Sequence, residues 1–397
     1  PMIFDCNDRP GIMLSSAVRK YANTYGVKCG NNICIFTNND DAYETAITLY
    51  NKGVNIKLII DIREKSNGTL PKKCNELGIK IHWKSTVVYT EGYKKIKKIH
   101  VMNLSNDNSN VVGNKLKIDC DLLCVSGGYT PAVHLFTQSG GKLDYNEKKY
   151  YFFPKKSTLK QISVGSCNGT FELKNIILEA QEKTKDFLNI NETEQFNVIE
   201  PNGGVFENIW LLPSDKISGK TKSFVDYQND STANDIKLAL REGFKSIEHV
   251  KRYTTTGMAT DQGKIANMHA LGIISEITNT KLGELGTTTF RPPYSPITFG
   301  ALVGRNVGQF FDITRKTPIH DWHVKNNAKF EDVGQWKRAW YYPSEKENMY
   351  EAVQRESKAA RTNAGILDAS TLGKIDIQGS DASEFLNRVY TNAWSKL

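Results

Sequence analysis

The chain has 397 residues, of which 39% are hydrophobic, enough to fill two or three domain cores. Its net charge of +9 invites a nucleic-acid reading, but the lysines are spread among Asn and Ile without a dense basic run, which argues against one. Seven cysteines, an odd number in a large chain, argue against a disulfide scaffold, and the lack of any apolar run of about 18 residues or basic leader argues against a membrane span or export.

Residues 1–30 carry a Pro10-Gly11 turn and a helix over 15–25, too little for a core of their own. From Asn32 the pattern is strand, turn, helix, strand: 33–36 is apolar, 38–41 caps, 42–50 is helical, 51–53 stops it, and 56–61 is the second strand. A dinucleotide-binding βαβ unit wants G-x-G-x-x-G at the first turn, so that backbone can approach a pyrophosphate. This chain has Thr37-Asn38-Asn39-Asp40-Asp41-Ala42 there. Asp61 ends the second strand where a ribose-binding carboxylate would lie, while Asp40 and Asp41 would repel a phosphate. The unit reads as a structural Rossmann-like layer that has lost dinucleotide binding or binds it in another way.

Further strands are expected at 79–82 and 101–104, with a polar hairpin tip at 105–110. Residues 118–128 form a buried strand entering the Gly127-Gly128 turn, followed by a helix over 131–138. Cys120 and Cys124 lie on this strand and, with no second pair or nearby histidine, read as reduced core thiols. A second glycine turn, Gly165-Ser166-Cys167-Asn168-Gly169, ends a strand before a helix over 173–187. Such turns can face the phosphates of a cofactor, and a plain strand-to-helix turn accounts for them equally well. Residues 188–224, with turns at Pro201-Asn202-Gly203-Gly204 and Pro213-Ser214-Asp215 and a short strand at 209–212, read as a linker.

A helix capped by Ser231 or Thr232 follows, with Asp235 in its first turn and Ile236, Ala239, Leu240 and Phe244 on one face. The same period continues through Ile247 and Val250 to a basic end at Lys251, Arg252 and Tyr253. Next come Thr254, Thr255, Thr256, Gly257, Thr260, Gln262 and Lys264, then a helix over 264–277. Hydroxyls, backbone N–H groups and cations before a helix N-terminus can hold a phosphate or another anion; a capped, solvated helix–loop–helix is the alternative. Pro292, Pro293 and Pro296 forbid regular structure, so 287–297 should wrap a neighbour as an extended arm.

From Pro318 on, His320, Asp321, Trp322 and His323 suggest metal, but with no third ligand they read as polar surface or interface residues. An aromatic cluster (Trp336, Trp340, Tyr341, Tyr342), a helix over 351–364, an alternating strand over 373–379 and a helix over 382–390 complete the chain. The terminal Ser395-Lys396-Leu397 mimics a peroxisomal address and is taken as accidental, since the sequence stops inside a domain.

Four stretches, REGFKSIEHVKRYTTTGMATDQGK, TTTFRPPYSPITFGALVGRN, GQWKRAWYYP and LDASTLGKIDIQGSDASEFLNRVYTN, resemble in order the large α subunit of heterotetrameric sarcosine oxidases. The last also resembles the opening of the folate-binding aminomethyltransferase fold, the T-protein of glycine cleavage. The resemblance implies an α/β chain with a Rossmann-like dinucleotide domain, a small helical module and the start of an α+β folate-binding domain. It divides the sequence into a dinucleotide-domain remnant at 1–30 and 115–187 and an inserted Rossmann-like domain at 31–114. A linker at 188–224, a helical module at 225–280, an extended arm at 281–317 and a truncated folate domain at 318–397 follow. The family's glycine-rich loop and ferredoxin-like region would precede this sequence, and its folate carboxylate would follow, so an internal fragment is expected.

In that family the β subunit's FAD oxidises the N-methyl amine, and electrons pass to an FMN shared between α and β and covalently attached to β. Oxygen receives them, giving hydrogen peroxide, and the folate domain captures the one-carbon unit. The resemblance places Lys251, Arg252, Thr254, Thr255, Gly257, Thr260, Gln262, Lys264 and Arg291 near FMN, and Gly128, Gly165, Ser166 and Gly169 near a bound NAD. No catalytic acid, base, nucleophile or metal ligand is assigned to this chain, and an iron–sulfur cluster in the helical module is excluded because no cysteine follows Cys167. Expected partners are the β, γ and δ subunits, sarcosine and tetrahydrofolate, in the cytoplasm, with no nucleic acid or membrane. A dimethylglycine- or proline-type dehydrogenase subunit and a cofactor-free scaffold remain alternatives, because the amine pocket belongs to another subunit.

Overall fold

The computed structural model describes all residues except 191–195, 199–205, 216–220, Tyr294, Asn306, Gln309 and Leu397, so the turn expected at Pro201 to Gly204 lies outside the described residues. It divides into two units, Pro1–Pro296 and Ile297–Leu397.

The first unit begins with β1 (Ile12–Leu14), α1 (Ser15–Thr24), β2 (Asn32–Thr37), α2 (Asp41–Asn51), β3 (Asn55–Asp61), α3 (Thr69–Glu76) and β4 (Ile81–His82). An antiparallel meander of β5 (Ser85–Gly92), β6 (Ile96–Leu104) and β7 (Val111–Asp119) leads back to β8 (Leu122–Ser126). The result is a parallel sheet ordered β1-β8-β2-β3-β4. Its strands read as unbroken apolar runs because both faces are covered. Cys34 and Phe36 of β2, Leu58 and Ile60 of β3, and Leu123 and Val125 of β8 pack with the meander. Their alternates Ile33, Ile35, Ile59, Leu122 and Cys124 pack under α1 and α2. β1 and β8 pair with one another and β8 with β2, so boundaries expected at 30/31 and 114/115 run through one sheet.

There follow α4 (His134–Gln138), a hairpin of β9 (Lys142–Asn146) and β10 (Tyr151–Lys156), a 3₁₀ turn at Gly165–Asn168 and α5 (Leu173–Leu188). The strands expected before Gly165 and at 209–212 are irregular segments. Near Ile209 the apolar residues are instead held singly against the core, and the Leu212 N–H donates to the Ile3 carbonyl at 3.0 Å.

The helical module opens with β11 (Phe224–Asp226) and β12 (Ser231–Thr232) and continues with α6 (Ala233–Arg241), α7 (Ile247–Thr254), α8 (Asn267–Thr278) and α9 (Leu282–Leu285). Thr232 and Asp235 form a reciprocal cap on α6. The helix expected to run on through Phe244 breaks at Gly243, whose φ of +95° no right-handed helix can contain. Ile236, Ala239, Ile247, Val250, Leu271, Ile273 and Ile274 form the module's core with Trp210 and Ile3.

The second unit holds α10 (Phe299–Val303), β13 (Arg315–Lys316), α11 (His320–Lys325), β14 (Lys329–Val333), β15 (Trp336–Tyr341), α12 (Met349–Thr362) and α13 (Ala382–Val389), with strand order β13-β15-β14. The strand expected over 373–379 is irregular; Ile375 is 85% exposed, and no strand among the described residues pairs with this segment.

Candidate functional site

The loop between α7 and α8 is held from within. Asp226, buried at the end of β11, accepts the Gly257 N–H at 2.7 Å and the N–H groups of Gln228 and Asn229 at 2.9 and 3.1 Å. The Thr254 hydroxyl donates to the Val250 carbonyl at 2.8 Å, Thr255 to the Thr254 carbonyl at 2.6 Å, and Thr260 to Gln228 Oε1 at 2.8 Å. Gly257 and Gly263 adopt φ of +73° and +72°, and a Cβ on either would lie 2.1 Å from Asn267 Oδ1. These hydroxyls and the Gly257 N–H shape the loop, while Lys264 stands exposed at the approach to α8.

The cations gather on another face. Glu248, Lys251 and Arg252 stand at i, i+3 and i+4 on α7, so they share a side of the helix. The arm after α9 runs along that side: the Thr289 N–H donates to Glu248 Oε1 at 2.5 Å, and Lys251 Nζ donates to the Thr289 carbonyl at 3.1 Å. The Arg291 N–H reaches Gln262 Oε1 at 3.4 Å. Together Glu248, Lys251, Arg252, Met258, Gln262 and Arg291 line a recess of about 90 Å³, with room for a group larger than one water. Three cations face one carboxylate, leaving a net charge of +2. Burial lowers the Lys251 pKa against the pull of Glu248, with Arg291 and Arg252 adding to the lowering. An anion would restore the balance, and the recess suits a phosphate or carboxylate group.

A second cleft, about 820 Å³, opens at the carboxyl end of β8 and β2, lined by Asn39, Gly128, Tyr129, Lys148, Lys149, Tyr151, Gly169 and Phe171 and by Glu172, Glu179 and Glu182. Gly128 is fixed by the Phe206 ring, 2.5 Å from where a Cβ would stand, and Gly169 by Tyr151, whose hydroxyl donates to the Gly169 carbonyl at 2.7 Å. Gly165 lies apart, its N–H donated to Glu179 Oε2 at 2.8 Å, and Ser166 is exposed outside the lining. Lys148 and Lys149, unassigned from the sequence, bring positive charge to this cleft; their adjacency at a hairpin tip was the available signal.

Asp61 is fully buried and accepts from Arg63 Nε at 3.0 Å, Arg63 Nη2 at 2.7 Å and the Tyr43 hydroxyl at 2.7 Å. In the second unit, His323 is buried rather than on the surface. Its Nδ1 lies 2.5 Å from the Tyr342 hydroxyl and its Nε2 2.9 Å from Asp368 Oδ2, because the segment after α12 brings that carboxylate back to α11. Among the described residues no group of three or more His, Cys, Asp or Glu side chains could hold a metal, and no helix is long and apolar enough to cross a membrane.

Comparison with known proteins places two family models on the chain: the sarcosine oxidase A3 domain over 220–305 and the GCVT N-terminal domain over 319–397. The sarcosine oxidase subunit alpha of Corynebacterium sp. (strain P-1) is 40% identical over 409 residues, covering 100% of this chain and 42% of that protein. The subunit of that name in Rhizobium meliloti (strain 1021) is 39% identical over 405 residues, covering 100% of this chain and 39% of its own length. The chain thus spans about two fifths of these relatives. An aminomethyltransferase of Bacillus mycoides (strain KBAB4) is 36% identical over 83 residues, 21% of this chain and 20% of that protein. L-proline dehydrogenase from P. horikoshii shares the fold, with a TM-score of 0.52 at 18% identity, over 76% of this chain and 56% of that one.

Proposed function

The whole chain is a homologue of the sarcosine oxidase alpha subunit, and we propose that it forms one wall of a flavin site completed by a partner subunit. Lys251, Arg252 and Arg291 receive the FMN phosphate with Gln262 beside them; Thr254, Thr255, Gly257 and Thr260, bonded internally, hold the adjoining loop in shape, and Lys264 lies outside the recess. When bound, FMN supplies the electron-transfer chemistry; this chain's residues hold its phosphate and keep the loop in shape. The observation that carries this reading is the convergence of Lys251, Arg252 and Arg291 on one recess with net positive charge.

In the assembled enzyme, with β, γ and δ partners in the cytoplasm, sarcosine is demethylated oxidatively to glycine, tetrahydrofolate takes the one-carbon unit, and hydrogen peroxide forms. The amine site lies in the β subunit, and residues 319–397 begin the folate domain. NAD goes to the cleft of Gly128 and Gly169, whose volume falls in the usual range for small-molecule sites; Lys148 and Lys149 are the cations on its lining available to a diphosphate, against Glu172, Glu179 and Glu182.

The test is FMN retention in the complete assembly co-expressed with its partners. A charge-assisted hydrogen bond contributes about 1.5–3 kcal/mol, so Arg252→Leu with Arg291→Met should weaken retention at least about tenfold. Unchanged FMN content in a folded assembly would overturn the reading. Peroxide release with sarcosine, dimethylglycine or proline as substrate separates the amine alternatives.

A further inference from the structure

We infer that the carboxyl end of β2 and β3 is closed to dinucleotides by this chain's own side chains, which occupy the positions of the ligand. A dinucleotide on a parallel βαβ unit lays its pyrophosphate on the N-terminus of the first helix and a ribose on the acid ending the second strand. At the start of α2 stand Asp40 and Asp41. The Asp41 carboxylate accepts from Arg19 Nη2 at 2.7 Å and from the Tyr129 hydroxyl at 2.9 Å. The Asp40 carboxylate pairs with Arg63 Nη1 at 2.8 Å and accepts the Ser66 hydroxyl at 3.1 Å. Two carboxylates thus already occupy the positive end of the helix dipole, where a pyrophosphate would meet like charge.

The ribose position is filled in the same manner. Asp61 is buried with its oxygens held by the Arg63 side chain, the Tyr43 hydroxyl and the Arg63 N–H at 3.0 Å. A ribose hydroxyl could reach it only by displacing the Arg63 guanidinium, on a side chain that is itself 4% exposed, leaving a buried charge without its partner. The β3–α3 loop presses on the same network: a Cβ at Gly68 would lie 2.0 Å from Asp40 Oδ2. A dinucleotide therefore does not fit this sheet end. The cleft of Gly128 and Gly169 adjoins this network through Tyr129, but Asp40, Asp41, Asp61 and Arg63 do not line it, so this inference stands apart from the NAD assignment made there.

Photolabelling tests it. The complete protein with its partner subunits is equilibrated with 8-azido-ADP-ribose, irradiated with and without excess NAD, and mapped by mass spectrometry. The expected result is no NAD-displaceable adduct on residues 61–68; adducts confined to 128–129, 148–149 or 171–182, or no adduct at all, agree with it. An NAD-displaceable adduct on 61–68 overturns it. In parallel, Tyr43→Phe should lower the melting temperature and leave NAD affinity within twofold, whereas a tenfold change in that affinity would equally overturn the assignment.

Discussion

Gly263 and Gly243 both adopt left-handed backbone, at φ of +72° and +95°, yet their surroundings differ. A Cβ at Gly243 meets nothing within 4 Å, so Gly243→Ala costs only conformational strain, about 1–2 kcal/mol. At Gly263 the new methyl also meets Asn267 Oδ1 at 2.1 Å and Cγ at 2.3 Å, so Gly263→Ala should cost about 1–3 kcal/mol more. Urea unfolding should show the larger loss at Gly263, and equal losses would refute the role given to Asn267. The loop also shows where reading by residue stops. Its basic and hydroxyl-rich character is legible, and Lys251, Arg252, Gln262 and Arg291 do converge. That Asp226 takes the Gly257 N–H from 31 residues upstream is not, because no local spacing encodes a partner so far back.

At the scale of elements, α8 carries Gly272 in its middle, where propensity alone predicts that alanine would add about 1 kcal/mol of stability. Packing reverses the sign. The Trp210 ring lies against this backbone, and a Cβ would stand 1.9 Å from its Cδ2. Gly272→Ala should therefore destabilise by about 1–3 kcal/mol, read as a lower urea midpoint, and a higher midpoint would refute this packing. Caps divide in the same way. Thr232→Ala removes a side-chain acceptor for the Asp235 N–H and should cost about 1 kcal/mol. Ser246→Ala, at the start of α7, removes no such bond, and its unfolding midpoint should shift by no more than a few tenths of that cost. The α6 start was legible because cap chemistry is local. The break at Gly243 was not, since the apolar period runs across it, and the strand expected over 373–379 lacks a described partner, which alternation cannot reveal.

For the molecule as a whole, local signals identified the βαβ opening and the helical module. The return of β8 beside β1 and β2, across the meander, depends on pairing between residues 111 positions apart for β1 and 89 for β2. The two units also carry different buried acid–base groups, which separates their responses to pH. In the first, burial against Trp210 pushes His269 down to about 3. The unfolded imidazole takes its proton near 6.5, so the unfolded state binds a proton that the folded state refuses. Stability from His269 is complete above about pH 6.5 and declines toward pH 3, by up to about 1.4 kcal/mol per pH unit. In the second, hydrogen bonds from Ser370, His323 and Thr317 hold Asp368 well below the usual carboxylate range. Its contribution is present above the unfolded carboxylate value of about 4 and is lost only as pH falls below that. Hydrogen exchange, corrected for intrinsic rates, should show protection over 266–274 weakening from about pH 6.5 downward, while protection over 317–323 holds until about pH 4. His269→Gln should flatten the first profile alone and Asp368→Asn the second alone; profiles that fall together in every variant would refute the assignment of each pH response to its own unit.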